Sequence, residues 1–178
     1  MTDTKTPWLN GWRIAGWGAL LALLALPAVA MQFTREANWS GGDFVFAAIL
    51  LGLLGGGVEL AFRIGRSGLQ AAAIALFTLL SFLTLWSNMA VGIIGAESEP
   101  VNGGFTLAVF AAIVLALVFK FRPAVMRGAC LALAILQPIL GLVAAFTMPG
   151  HGVEWGVLGV FAALWAIAAL LFRKACAD

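Results

Sequence analysis

Six long apolar stretches, each near the roughly 20 residues a helix needs to cross a bilayer, alternate with short polar segments along the chain. The pattern predicts helices over residues 12–33, 44–64, 69–94, 104–119, 125–147 and 153–172. Placed at 3.6 residues per turn, several of these stretches separate into faces. In the second, Ala48, Gly52, Gly55, Gly56, Glu59, Arg63 and Arg66 fall within about 60° of one line, so small and charged residues share a side. That side is expected to meet protein, because small residues admit a neighbouring backbone and an intramembrane acid avoids lipid. In the third, Gln70, Thr78, Ser81, Thr84 and Asn88 form a polar stripe, which serves either interhelical hydrogen bonding or the lining of a path.

The fourth stretch is uniformly apolar and reads as a lipid-facing wall. The fifth aligns Cys130, Ala134, Gln137, Gly141 and Ala144, with Pro138 beside the amide. Proline frees a carbonyl one turn earlier, so a kink is expected there, with Gln137 placed to satisfy the freed group. The sixth carries Gly152, Gly156, Gly159, Ala163 and Ala166 at close-packing spacing. Phe62-Arg63, Phe119-Lys120 and Phe172-Arg173 end every second stretch, which suggests three consecutive helical hairpins. Topology alone also places aromatic and basic residues at such ends, and that is the preferred explanation.

Composition agrees with the pattern. With 63% hydrophobic and 10% charged residues and a mean hydropathy of +1.05, the chain is far from the roughly 25% charged residues of soluble domains. The fold class expected is all-α, a polytopic transmembrane helical bundle forming one integral membrane domain over residues 1–178, with no room for a separate soluble domain. The net charge of +2 points to no nucleic-acid partner, since the bases sit at helix ends. If both termini are cytoplasmic, Lys5, Arg13, Arg63, Arg66, Lys120, Arg122, Arg127, Arg173 and Lys174 all lie inside and only Arg35 lies outside. The first stretch has a rival reading as a secretory signal cleaved after Ala28-Val29-Ala30. Its length favours a retained span.

Candidate chemistry is sparse. One histidine cannot supply a bis-histidine haem or a three-histidine zinc site, and no nucleophile elbow, phosphate loop or paired-cysteine motif occurs. Cys130 and Cys176 stand at depths that disfavour a mutual disulfide. No catalytic residue, cofactor or metal site is assigned. Glu36, Asp43, Glu97, Glu99, Glu154 and His151 gather on the outer side, where their oxygens and imidazole suit a divalent cation. Four of the acids share no spacing, and acidic outer loops are also what remains once bases are retained inside, which is the preferred reading, with His151 a loop residue after Pro149-Gly150. Glu59 has two readings. As a coupling carboxylate it would titrate with Arg63 or an ion as partner. As a local pair with Arg63, four residues on, it would snorkel to the interface, and its position near the inner boundary favours this second reading.

The segments Met31-Gln32-Phe33-Thr34-Arg35-Glu36-Ala37-Asn38-Trp39 with Asp43-Phe44, and Ala90-Val91-Gly92-Ile93-Ile94-Gly95, resemble stretches in small uncharacterised six-span bacterial inner-membrane proteins. The resemblance implies a bacterial inner-membrane setting and no activity. The function expected is a non-enzymatic accessory or scaffold subunit that packs through small-residue helix faces against a membrane-protein partner or another copy, in contact with the lipid bilayer. The alternative is a small transporter or channel with Glu59 as the coupling residue, its path lined by Glu59, the Ser81 to Asn88 stripe and Gln137; Glu59, Arg63, Ser81, Thr84, Asn88 and Gln137 are thus the candidate transport or packing face.

Overall fold

A computed structural model describes residues 11–34, 38–148 and 152–176. Among them the chain is all-helical: α1 (Gly11–Phe33), α2 (Gly41–Ile64), α3 (Gly68–Ala90), α4 (Pro100–Val118), α5 (Pro123–Thr147) and α6 (Trp155–Lys174). All six are long and apolar enough to cross a membrane, and the protein is a multi-pass membrane protein. Ala28, Val29 and Ala30 lie inside α1. Contacts divide the chain into two compact units, Met1–Gly56 and Gly57–Asp178, with the break inside α2.

In the first unit α1 has no buried residue. It meets α2 at Gly55, where an added Cβ would stand 2.7 Å from Leu20 Cδ1 and 2.9 Å from Trp17. The start of α2 is tied by a reciprocal cap in which Ser40 N donates to Asp43 Oδ2 at 2.7 Å and Asp43 N donates to Ser40 Oγ at 3.3 Å. Each side chain thereby satisfies a backbone donor of the other.

The second unit holds the end of α2 and a ring of four helices. α3 contacts α4 and α6, and α5 contacts the same two, so the predicted hairpins α3–α4 and α5–α6 are joined edge to edge. The buried positions of α4, Asn102, Phe105, Val109, Ala112 and Ala116, recur at alternating steps of three and four. That is the spacing of a seam between helices crossing at a shallow angle. The lipid-facing wall expected of this stretch is therefore only one of its sides, carried by Leu107, Phe110, Val114 and Val118. On α3 the buried set Gln70, Ala73, Ile74, Phe77, Leu80, Ser81, Thr84, Leu85 and Asn88 is the expected polar stripe widened by its apolar flanks, with Thr78 half-buried. All five residues aligned on α5 are buried. At the centre, Phe77 meets Trp165 edge-on at 5.8 Å and Phe121 at 6.2 Å.

Two boundaries differ from the sequence pattern. α3 stops at Ala90 and α4 begins at Pro100, because Gly92 and Gly95 take φ of +80° and +62°. These glycines fold the connection back over the bundle end, where an L side chain would be strained. Ile93 and Ile94 thus leave the predicted helix and pack with Phe105, Ala144 and Leu158.

At the opposite, basic end the turn between α4 and α5 closes by a Schellman pattern: Phe121 N donates to Ala116 O at 2.8 Å and Lys120 N to Leu117 O at 3.2 Å. Glycine normally occupies the left-handed position of this motif, yet here Lys120 and Phe121 take φ of 50° and 54°. Lys120→Gly is expected to raise stability by about 1 kcal/mol, the cost of a left-handed L residue, measured by denaturant unfolding in detergent.

Candidate functional site

The polar residues of α3 point three ways. At its start Ser67 Oγ accepts from Gln70 N at 3.3 Å, Gln70 Oε1 accepts from Arg66 N at 3.0 Å, and Gln70 Nε2 donates to Phe121 O at 3.4 Å. Gln70 therefore ties the helix N-terminus to the strained turn beside it. In mid-helix, Thr78, Ser81 and Thr84 each donate back to the carbonyl four residues earlier, at 2.9, 2.8 and 2.8 Å. This is the usual way for a hydroxyl to be satisfied inside a bilayer. Near its end Asn88 Nδ2 donates to Asn102 O and to Thr106 Oγ1, both at 3.1 Å, which links α3 to α4.

Asn102 is the densest polar node of the second unit and was hidden in the sequence. Its Oδ1 accepts from Ile93 N at 3.2 Å and Ile94 N at 3.1 Å, while its Nδ2 donates to Ile94 O at 3.0 Å and Ala96 O at 2.9 Å. One side chain, 3% exposed, thereby makes every hydrogen bond an amide offers and holds the folded-back connection in place. The signal that would have found it is Pro100, which is compatible with the first turn of a helix as well as with a break. Read that way, Asn102 enters the helix and the seam.

Gln137 on α5 is 1% exposed. Its Nε2 donates to Leu133 O at 3.4 Å, one residue before the carbonyl that Pro138 frees. Gln137 Oε1, Asn88 Oδ1 and Trp165 Nε1 are buried polar atoms without a protein partner.

Glu59 and Arg63 form a pair at 2.6 Å on the same helix, with side chains 21% and 49% exposed. Its order, acid before base at four residues' spacing, is the favourable one, and such exposed pairs are worth about 0.3–0.5 kcal/mol. The glycines near it divide among different surroundings. Gly55 meets α1, whereas an added Cβ at Gly52 or Gly56 meets nothing within 4 Å. The closest approach is at Gly57, outside the face read from the sequence, where a Cβ would stand 2.4 Å from Thr78 Cγ2.

Comparison with family models, curated proteins and solved structures finds no match. Of the residues proposed for a path, Asn88 lines a hollow of about 480 Å³ with Glu97, Asn102 and Thr106. Ser81, Thr84 and Gln137 are buried in the four-helix ring, and Glu59 is engaged with Arg63. Among the described residues, no group of three or more His, Cys, Asp or Glu side chains gathers to hold a metal ion; Glu36 and His151 lie outside those residues. Cys130 is buried and Cys176 exposed, both as free thiols.

Proposed function

We propose that the chain is a non-enzymatic accessory subunit of the bacterial inner membrane, with both termini cytoplasmic, that docks a membrane-protein partner or a second copy through small-residue helix faces. The observation that carries this is on α6. Gly156 and Gly159 have nothing within 4 Å of an added Cβ, and with Ala163 they are exposed. α6 buries Leu158, Trp165, Ala168, Ala169 and Phe172 inside the ring instead. In the first unit the same holds for Gly52 and Gly56 of α2. In a bilayer, where apolar burial does not drive helices together, outward glycines are what let a second backbone approach.

The local engagement of Glu59 by Arg63 and of the α3 hydroxyls by their own helix supports this role over transport, because these groups are satisfied within the helix that carries them. Gly156→Leu with Gly159→Leu, and separately Gly52→Leu with Gly56→Leu, are expected to leave the stability of the isolated chain within about 0.5 kcal/mol. The wild-type chain is expected to co-purify from mild detergent with a partner or a second copy, and at least one pair should abolish that assembly. Unchanged assembly in both, or solute flux through the purified chain in proteoliposomes, would count against the subunit reading.

A further inference from the structure

At the basic end the second unit contains a hollow of about 1030 Å³, far larger than the one beside Asn88. Arg66, Lys120 and Arg122 line it together with the apolar side chains of Leu60, Ile64 and Leu117. Among the described residues no carboxylate pairs with any of the three bases, and Glu59, the acid described at this end, is held by Arg63. Helix dipoles do not set the sign of the site. α3 and α5 begin at the hollow while α2, α4 and α6 end there, so positive and negative termini oppose one another. The three side chains decide it.

Membrane topology accounts for bases at helix ends anywhere around the rim. It does not account for three of them around one hollow, nor for a lysine in a left-handed position that glycine would fill without strain. The strained turn is in turn braced by Gln70, whose amide bonds both Arg66 N and Phe121 O, so one buried side chain fixes the two backbone segments that carry Arg66, Lys120 and Arg122 to the hollow. A ligand for this arrangement needs a compact negative head and an apolar body, and it must reach the level where spanning helices end. A free anion meets only the first requirement.

We propose that this hollow is a binding site for an anionic phospholipid, with its phosphate held by Arg66, Lys120 and Arg122 and its glycerol and upper acyl chains against Leu60, Ile64 and Leu117. Basic pockets between spanning helices recognise phosphate head groups by this combination of charge and shape. The site does not depend on which side of the membrane the basic end faces, nor on the proposed docking role.

The test is native mass spectrometry of the full chain in mild detergent with phosphatidylglycerol, phosphatidylcholine or inorganic phosphate as probes. The chain is expected to retain phosphatidylglycerol and not phosphatidylcholine. The triple variant Arg66→Gln, Lys120→Gln, Arg122→Gln should weaken that binding about tenfold or more. The control Arg127→Gln, Arg173→Gln, Lys174→Gln removes as much charge from exposed residues that do not line the hollow, and it should bind within about twofold of wild type. Equal loss in the control would show diffuse surface charge only. Equal retention of phosphatidylcholine, or displacement of phosphatidylglycerol by equimolar inorganic phosphate, would also overturn the proposal. Should the triple variant fail to fold, Arg122→Gln alone is expected to weaken binding about threefold, and unchanged binding would overturn the site.

Discussion

Asn102→Ala is expected to cost about 3 kcal/mol, the largest loss of any single polar substitution in the second unit. The substitution removes four hydrogen bonds at once, to Ile93 N, Ile94 N, Ile94 O and Ala96 O. Ile93 and Ile94 are 5% and 0% exposed, so their freed backbone groups cannot simply turn to water. Each unpaired buried group costs about 1–3 kcal/mol, partly offset because the connection can open and hydrate Ala96. Asn88→Ala serves as a comparison: its two bonds go to Asn102 O and Thr106 Oγ1, and Thr106 Oγ1 still donates to Asn102 O at 3.4 Å. About 1 kcal/mol is expected there. Denaturant unfolding in detergent reads both values. Hydrogen exchange at Ile93 and Ile94 should rise sharply in Asn102→Ala and little in Asn88→Ala. A smaller effect for Asn102→Ala than for Asn88→Ala would remove the clamp from the account.

Gly57→Ala should destabilise by about 2 kcal/mol, against the usual trend for this change within a helix. Alanine ordinarily gains up to about 1 kcal/mol over glycine there. At Gly57 the new Cβ would stand 2.4 Å from Thr78 Cγ2, 2.8 Å from its Oγ1 and 3.2 Å from its Cβ. Thr78 is β-branched, stiff about χ1, and bonded to Ile74 O, so it cannot rotate away freely. Overpacking of this kind costs about 1–3 kcal/mol, and the upper end applies because the contact reaches close to the backbone. Thr78→Ala in the same chain removes Cγ2 and Oγ1 and should restore most of the loss, giving a coupling of about 1–2 kcal/mol in a double-mutant cycle. Gly57→Ala that stabilises the protein, as at an open position, would mean that α2 and α3 are not in contact at this point.

The same pair shows how far periodicity reads into a membrane chain. The rule that places Gly52, Gly55, Gly56 and Glu59 on one side of α2 is geometric and holds. Which side meets a neighbour depends on helices elsewhere in the chain, and here Gly55 and Gly57 make the close contacts while Gly52 and Gly56 face outwards. Hydropathy marks the six spans because length and apolarity are local properties. It left the seam of α4 unread, since Phe105, Val109, Ala112 and Ala116 differ from their exposed neighbours in packing and not in polarity. α3 was more legible for the opposite reason: Ser81, Thr84 and Asn88 differ in chemistry from the residues between them. Ile93 and Ile94 extended a predicted helix because apolar residues continue through them. Only the positive φ of Gly92 and Gly95, together with Asn102 arriving from the next helix, turns them inwards. The Glu59 to Arg63 pair was legible because it is set by spacing along one helix.

Outward glycines that dock a partner differ from merely lipid-facing ones in what lies against them in the membrane. Photo-crosslinking in the native membrane distinguishes the two, with the probe at Val160, exposed on α6 one turn from Gly156, and at Val114 on the exposed side of α4 as reference. A discrete protein adduct, containing a second copy or another membrane protein, is expected from Val160, and lipid adducts alone from Val114. Lipid adducts alone from both positions would contradict docking.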